Sequence, residues 1–398
     1  MTVDDVMAIE LGALPPVEGS ERRQRIAALR AAMHSQGLAA VILASPESVY
    51  HLTGLDHLGY FAPTLLLVPS RGRPVLVARR MEQHTLRAQA PQVEHVGYDD
   101  GQDPAEATAR AIRRFAPGRI GVEEQSLFLP PGLLRRIHDA SPNVSWVECS
   151  RLAADLRTVK SVPEQERVRR AAMVSNAAMR AALATAATGV NERTVAARTH
   201  LAMIEAGGEP PGFAPLIRST ARLAQEHVTW TDHVLSHGEG LFVELSGCVQ
   251  RYHAPMSRIV YCGEAPLGTE LAARAALAGL DAARAALKPG AVTRDVYGAW
   301  EDAVADATGV RQRRHHCGYL TGIGFAPSWV GGGEVLGIRA DGATVVEPGM
   351  VFHLMSWVSQ PVPHVVSDTA LVTATGHELL TDAPRGLLVA DGVPIVCP

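Results

Sequence analysis

A chain of 398 residues, 47% hydrophobic and 20% charged, has the composition of a soluble globular protein and the length of two domains. Its net charge of -4, with basic residues scattered along helix-like segments, speaks against nucleic acid as a partner, and no stretch approaches the apolar length of a membrane span. Five cysteines, an odd number without a CxxC pair, fit reduced thiols in a cytoplasm better than a disulfide framework or a zinc knuckle.

The opening MTVDDVMAIELGALPPV has no basic segment followed by a continuous apolar run, so no secretory leader is expected. Strand-like runs follow at 39–44, 64–70 and 73–80, then a helix over 104–116 and a strand over 119–124, which together predict a small α/β domain. The texture changes near residue 157. A long amphipathic helix is predicted there, opened by Ser161 as N-cap before Pro163 and closed by Gly189. A second helix over 191–208, hairpin strands over 241–262, and helices over 267–287 and 293–309 come next, with Gly-rich turns and strands to the end. The expected domains are 1–156 and 157–398.

Several motifs are excluded on their surroundings. The glycines at 331–333 have neither a strand-to-helix context nor a following Lys-Ser, so they are not a phosphate loop, and no GxSxG elbow is present. The pair His315 and His316 invites a metal reading. Adjacent residues on a strand point to opposite faces, however, so in a regular strand they cannot chelate together.

The segments LRTVKSVPEQERVRRAA, GLFVELSGCVQRYHAPMSRIVY, GYLTG, EPGMVFHLM and SDTALVTATG, in this order, resemble the creatinase and aminopeptidase P-like (M24) family across nearly the whole chain. The resemblance implies an α+β protein with a small α/β creatinase-type N-terminal domain and a C-terminal pita-bread domain. It also implies a homodimer in which the partner's N-terminal domain closes each site, the covering segment here being 50–63 with Tyr60. The family's metal-binding places fall on Glu244, Pro255, Tyr319, Met355 and Ser367. Of these, only Glu244 keeps a group suited to a divalent metal, which needs several O or N ligands held together. The chain therefore resembles the metal-free branch of the family, with no cofactor expected. Its Glu, YHxPxSR, GYxxGI and FHLM pattern is most similar to the ectoine hydrolases.

On this resemblance Glu244 is the expected nucleophile or base, and His227, in AQEHVTW, the expected acid/base, since an imidazole titrates near about 6.5 and both takes and gives a proton. An uncompensated carboxylate demands a cation or a shared proton, unless Glu244 is simply paired with Arg258 or Arg251. Tyr319 and His353 are expected to orient a substrate, with Tyr252, His253, His316 and His364 as further pocket candidates. Phe325 and Trp329 offer an aromatic wall to a small cationic ring, a contact worth roughly 0.5 to 2 kcal/mol, or else pack in the core. The implied reaction is metal-independent opening of a C–N bond in a small cyclic amidine or zwitterion. The alternatives are a biosynthetic cyclisation or dehydration on the same fold, a creatinase-like amidinohydrolase, and an inactive binding protein.

Overall fold

The computed structural model describes residues 19–115, 118–331 and 335–390. The N-terminal segment read above for a leader, two of the three glycines at 331–333, and Cys397 lie outside the described residues. The described residues form two compact units, one built within 19–158 and the other on 159–330 with 335–390.

The first unit runs α1 (Gly19–Ser35), β1 (Leu38–Leu43), α2 (Pro46–Thr53), β2 (Leu65–Pro69), β3 (Val75–Arg79), α3 (Gln83–Gln89), β4 (Glu94–Tyr98), α4 (Pro104–Ile112), β5 (Arg119–Val122), α5 (Pro131–Asp139), β6 (Ser145–Glu148) and α6 (Ser150–Asp155). Its mixed sheet has the order β4-β3-β2-β1-β5-β6. Apolar residues on both faces explain the near-continuous hydrophobic runs. Val41, Leu43, Leu66 and Val68 pack under α1 and α2 with Leu29, Met33 and Leu52. Ala40, Ile42, Leu65 and Leu67 pack on the other face with Ala107, Ala111 and Leu133 of α4 and α5. The edge strands β4 and β6 were not foreseen in the sequence, because each is short and half-exposed and so lacks the apolar run that marks β1 to β3.

The second unit repeats one pattern: a helix pair, then a strand hairpin. First come α7 (Val162–Thr185), α8 (Glu192–Glu205), β7 (Leu216–Ser219), β8 (Gly240–Val249) and β9 (Tyr252–Cys262). Then come α9 (Thr269–Ala286), α10 (Thr293–Thr308), β10 (Gly318–Leu320), β11 (Val351–Val358), β12 (His364–Val372), β13 (His377–Leu379) and β14 (Leu388–Ala390). The strands form one sheet of order β10-β11-β12-β9-β8-β7, with β13 on β12 and β14 parallel to β9. Helix α7 opens with a capping box in which Glu164 Oε2 accepts from the Ser161 backbone N–H at 2.8 Å. It ends at Thr185, earlier than Gly189, because Ala186 is already extended (ψ 122°).

Alternation along the strands decides which residues meet the helices. Phe352, Leu354, Val366 and Ala370 join the core beneath α9 and α10, with Leu280 and Trp300. The residues between them, His353, Met355, Ser367 and Thr369, consequently share the opposite face. On that face Phe242, Ile259, Trp357 and Val365 form a smaller apolar cluster.

Candidate active site

Glu244 sits in mid-β8, directly across from Ser257 of β9 on one side and Leu216 of β7 on the other. Its side chain is 7% exposed, and no described residue hydrogen-bonds its carboxyl. Burial pushes its pKa up to about 7, the Arg218 guanidinium pulls it down, and the charge of Glu226 raises it. The opposing charge comes from Arg218, whereas the sequence offered Arg258 or Arg251. Arg258 is committed elsewhere, buried against Asp368 at 2.9 Å with four backbone carbonyls around it. Arg218 has no local sequence signature, since only the β7–β8 pairing brings it beside this strand.

Next to Glu244 runs a buried chain of polar side chains. The Trp329 indole Nε1–H donates to the Tyr319 hydroxyl at 3.0 Å, and that hydroxyl meets His353 Nδ1 at 2.8 Å. His353 Nε2 meets Ser367 Oγ at 2.6 Å, and Ser367 Oγ meets Ser257 Oγ at 2.7 Å. Strand register aligns these partners: Tyr319 is opposite His353, and Ser367 opposite both Met355 and Ser257. Burial lowers the His353 pKa to about 3, so its ring is neutral and offers one donor and one acceptor, both used here. Burial and the charge of Glu244 raise the Tyr319 pKa well above its ordinary value. Two places expected to hold metal ligands, Tyr319 and Ser367, are thus joined to each other through His353.

His227 occupies the segment between β7 and β8, exposed and with a positive φ of 58°. A non-glycine residue in that region carries backbone strain on the order of 1–3 kcal/mol. Its ring stacks on Phe213 at 6.2 Å, and Phe213 contacts Trp329 edge-on at 4.9 Å. His227 and Glu244 make no direct hydrogen bond. Its neighbour Glu226 pairs with Arg314 at 3.1 Å, and Arg314 stacks over Trp357 at 4.6 Å. Phe213, Trp357 and Arg314 escaped the sequence reading because they lie on three separate segments with no shared motif.

The other predicted residues divide. His316 lies close, with its ring edge-on to Tyr319 at 5.5 Å, its Nδ1 buried without a hydrogen-bond partner, and its pKa lowered to about 4 by burial and then by His315. His315 and His316 precede β10 in a loop and not in a strand, with their rings perpendicular at 4.4 Å. His253 is a correction, because both its nitrogens are taken by backbone: Nδ1 by the Arg251 carbonyl at 2.9 Å and Nε2 by the Gly212 N–H at 3.0 Å. Tyr252 is likewise buried and donates to Glu164 at 2.8 Å, tying β9 to the start of α7. His364 begins β12, where a loop was expected, and is buried against Tyr261 with ring centroids 6.3 Å apart. Phe325 is buried beneath the Arg251 guanidinium at 4.7 Å, which places a resident cation on the ring offered to a substrate. Tyr60 packs between His57 and Phe128 in the first unit.

Residues 166–374 match the metallopeptidase family M24, and residues 25–159 match the creatinase/prolidase N-terminal domain. The chain belongs to metallopeptidase family M24, with the two-domain, pita-bread architecture of its prolidases. It is 29% identical over 389 residues to an uncharacterized hydrolase/peptidase of Sinorhizobium fredii, covering 94% of this chain and 98% of that protein. It is 28% identical over 396 residues to the ectoine hydrolase of Halomonas elongata, again covering 94% and 98%. A prolidase from Thermococcus sibiricus superposes with a TM-score of 0.82 at 19% identity, covering 95% of this chain and all of that one. These relatives place the chain in a family of hydrolases.

The family name implies a divalent metal, and the donor set does not fit one. Proline 255 has no ligand atom, Met355 offers only a thioether, and the hydroxyls of Tyr319 and Ser367 are engaged with His353. Among the described residues, no group of three or more His, Cys, Asp and Glu is placed to hold a metal ion.

Proposed function

We propose that this protein is a metal-independent hydrolase that opens one carbon–nitrogen bond of a small cyclic amidine, with ectoine as the candidate substrate. The observation that carries the proposal is Glu244, a buried carboxyl that no described residue hydrogen-bonds, at a place where the described residues assemble no set of metal ligands. An amidinium supplies a hydrogen-bonding cation that Arg218, acting from a distance, does not, and brings an electrophilic carbon to the carboxylate. The similarity to an ectoine hydrolase over 94% of this chain supports the same substrate class.

Water is the co-substrate. The Glu244 carboxylate takes a proton from the water that attacks the amidine carbon, or attacks that carbon itself, in which case water cleaves the Glu244 ester bond after the ring nitrogen has left and regenerates the carboxylate. The bond from that carbon to one ring nitrogen then breaks, the departing nitrogen leaves as an amine, and the carbon becomes an amide carbonyl. His227 delivers the proton to the departing nitrogen as its segment closes on substrate, and Tyr319 orients the ring. The homodimer implied by the family resemblance is part of the same proposal, as the means of closing the site.

A proton NMR time course of the protein with ectoine and excess chelator tests this reading. Conversion to an N-acetyl-diaminobutyrate that persists under chelation and is lost in Glu244→Ala is the expected result. Turnover that stops with the chelator, or cleavage of Xaa-Pro dipeptides restored by divalent metal, overturns it.

A further inference from the structure

Arg218 is buried to 2% exposure on β7, two strand positions from Leu216, the neighbour of Glu244. Its guanidinium lies over the Phe242 ring at 4.4 Å. Of its five N–H groups, only two find acceptors, the carbonyls of Val228 and Leu223, both at the long distance of 3.3 Å. Its Nε is buried with no partner. No carboxylate of the described residues lies within salt-bridge distance. The arginines nearby differ, since Arg314 already has Glu226 at 3.1 Å and Arg222 has Glu192 at 2.6 Å.

A guanidinium keeps its proton even when buried, so an unpaired one is stabilised by whatever anion reaches it. Phe242 and Glu244 are alternate residues on one face of β8, so their side chains stand roughly 7 Å apart. Because Arg218 pairs across from Phe242, a cation and an acid flank the same stretch of strand at the span of one small ring with a substituent.

We propose that Arg218 is the anchor for a carboxylate on the substrate, and that it makes the pocket selective for cyclic amidines bearing a carboxylate a few bonds from the amidine carbon. The amidinium faces Glu244 while the carboxylate takes the free side of the Arg218 fork in a charge-assisted pair. This rests on the hydrolase reading above. Burial lowers the pKa of this arginine; of the charged groups facing it, Glu244 and Glu226 favour its charged form and Arg222 opposes it. The competing account is structural: the two carbonyls that Arg218 holds belong to the segment carrying His227, so the arginine would merely support that segment.

Two rings separate these accounts: ectoine, and the same methyl-tetrahydropyrimidine lacking the carboxylate. Initial rates are measured with wild type, Arg218→Met and Arg218→Lys, each checked for folding by circular dichroism and thermal melting. Loss of Arg218 also raises the Glu244 pKa and so slows both rings near neutrality, and rates are therefore compared on the high-pH plateau of each variant; there the expected result is a fall in kcat/KM for ectoine in Arg218→Met roughly 100-fold larger than the fall for the carboxylate-free ring. Arg218→Lys recovers part of the preference, since it keeps the charge and loses the fork. An equal fall on both rings, or a wild type indifferent to the carboxylate, overturns the anchor. If wild type opens neither ring, the hydrolase reading has failed, and calorimetry with the two rings decides the anchor alone. A wild-type binding preference for the carboxylate that vanishes in Arg218→Met upholds it, and the absence of that preference overturns it.

Discussion

Glu244 holds a carboxyl whose ordinary pKa of 4.5 is raised to about 7 by burial, and this couples its chemistry to the stability of the fold. Below pH 4.5 both folded and unfolded chains carry the proton, so nothing is lost. Between 4.5 and 7 the unfolded chain ionises first, stability falls as pH rises, and above 7 the loss is complete at about 3 kcal/mol. Glu244→Gln removes that loss while keeping the shape of the side chain. The variant is expected to be more stable than wild type at pH 8 by up to about 3 kcal/mol, and indistinguishable near pH 4. Ring opening should be abolished. Denaturant melts at the two pH values check this, and equal stability at both would show that Glu244 is already compensated in the folded protein. Wild-type kcat/KM is expected to rise with pH through about 7, because the free enzyme must first ionise this carboxyl.

At the scale of elements, the closeness of α7 to the β8–β9 hairpin is set at Gly247. A Cβ there would lie 2.2 Å from the Ala171 carbonyl oxygen and 2.8 Å from Ser175 N. The contact is locked by Ser175 Oγ, which donates to the Ala254 carbonyl at 2.6 Å and accepts from Gly247 N at 2.7 Å. Gly247→Ala should therefore push α7 off the strand and destabilise the protein by roughly 3 kcal/mol or more, read as a lower denaturation midpoint. Since β8 carries Glu244, activity should fall before the fold is lost. Legibility in the sequence differed between the units: the Ser161 cap, the helices α7 to α10 and the β8–β9 hairpin of the second unit express local chemistry and were read, whereas α1, α2, α3, α5 and α6 of the first unit were not. Less was legible in the site. Glu244 and Tyr319 could be singled out as candidates because each occupies a place in a recognisable segment. Arg218 and Phe213 could not, because their relation to Glu244 and Trp329 exists only once strands and loops are assembled. His253 misled for the converse reason: its sequence neighbours look like a pocket motif, and only the structure shows the Gly212 N–H taking its second nitrogen.

For the whole molecule, the question is what five strands do with a site that the family builds around metal. The places expected to supply ligands lie on β8, β9, β10, β11 and β12, so a bound ion would tie the sheet together across its width. Here the chain from Trp329 through Tyr319, His353 and Ser367 to Ser257 joins β9, β10, β11 and β12 by side-chain hydrogen bonds. A metal that entered would have to strip Tyr319 and Ser367 of bonds at 2.8 and 2.6 Å and would find one carboxylate, Glu244. A ligand present at 100 times its dissociation constant stabilises a protein by about 2.7 kcal/mol. Thermal melting with and without manganese, cobalt or zinc at micromolar excess is therefore decisive: no metal should raise the transition, and exhaustive chelation should not lower it. A metal-dependent rise that disappears in Glu244→Gln would mean that the strands do assemble a cage, and that the hydrogen-bonded chain gives way to it. Cutting the chain tests the same point from the other side. His353→Ala leaves the Tyr319 and Ser367 hydroxyls without their central partner in a dry interior, and is expected to cost roughly 2–4 kcal/mol, a loss that added metal does not restore.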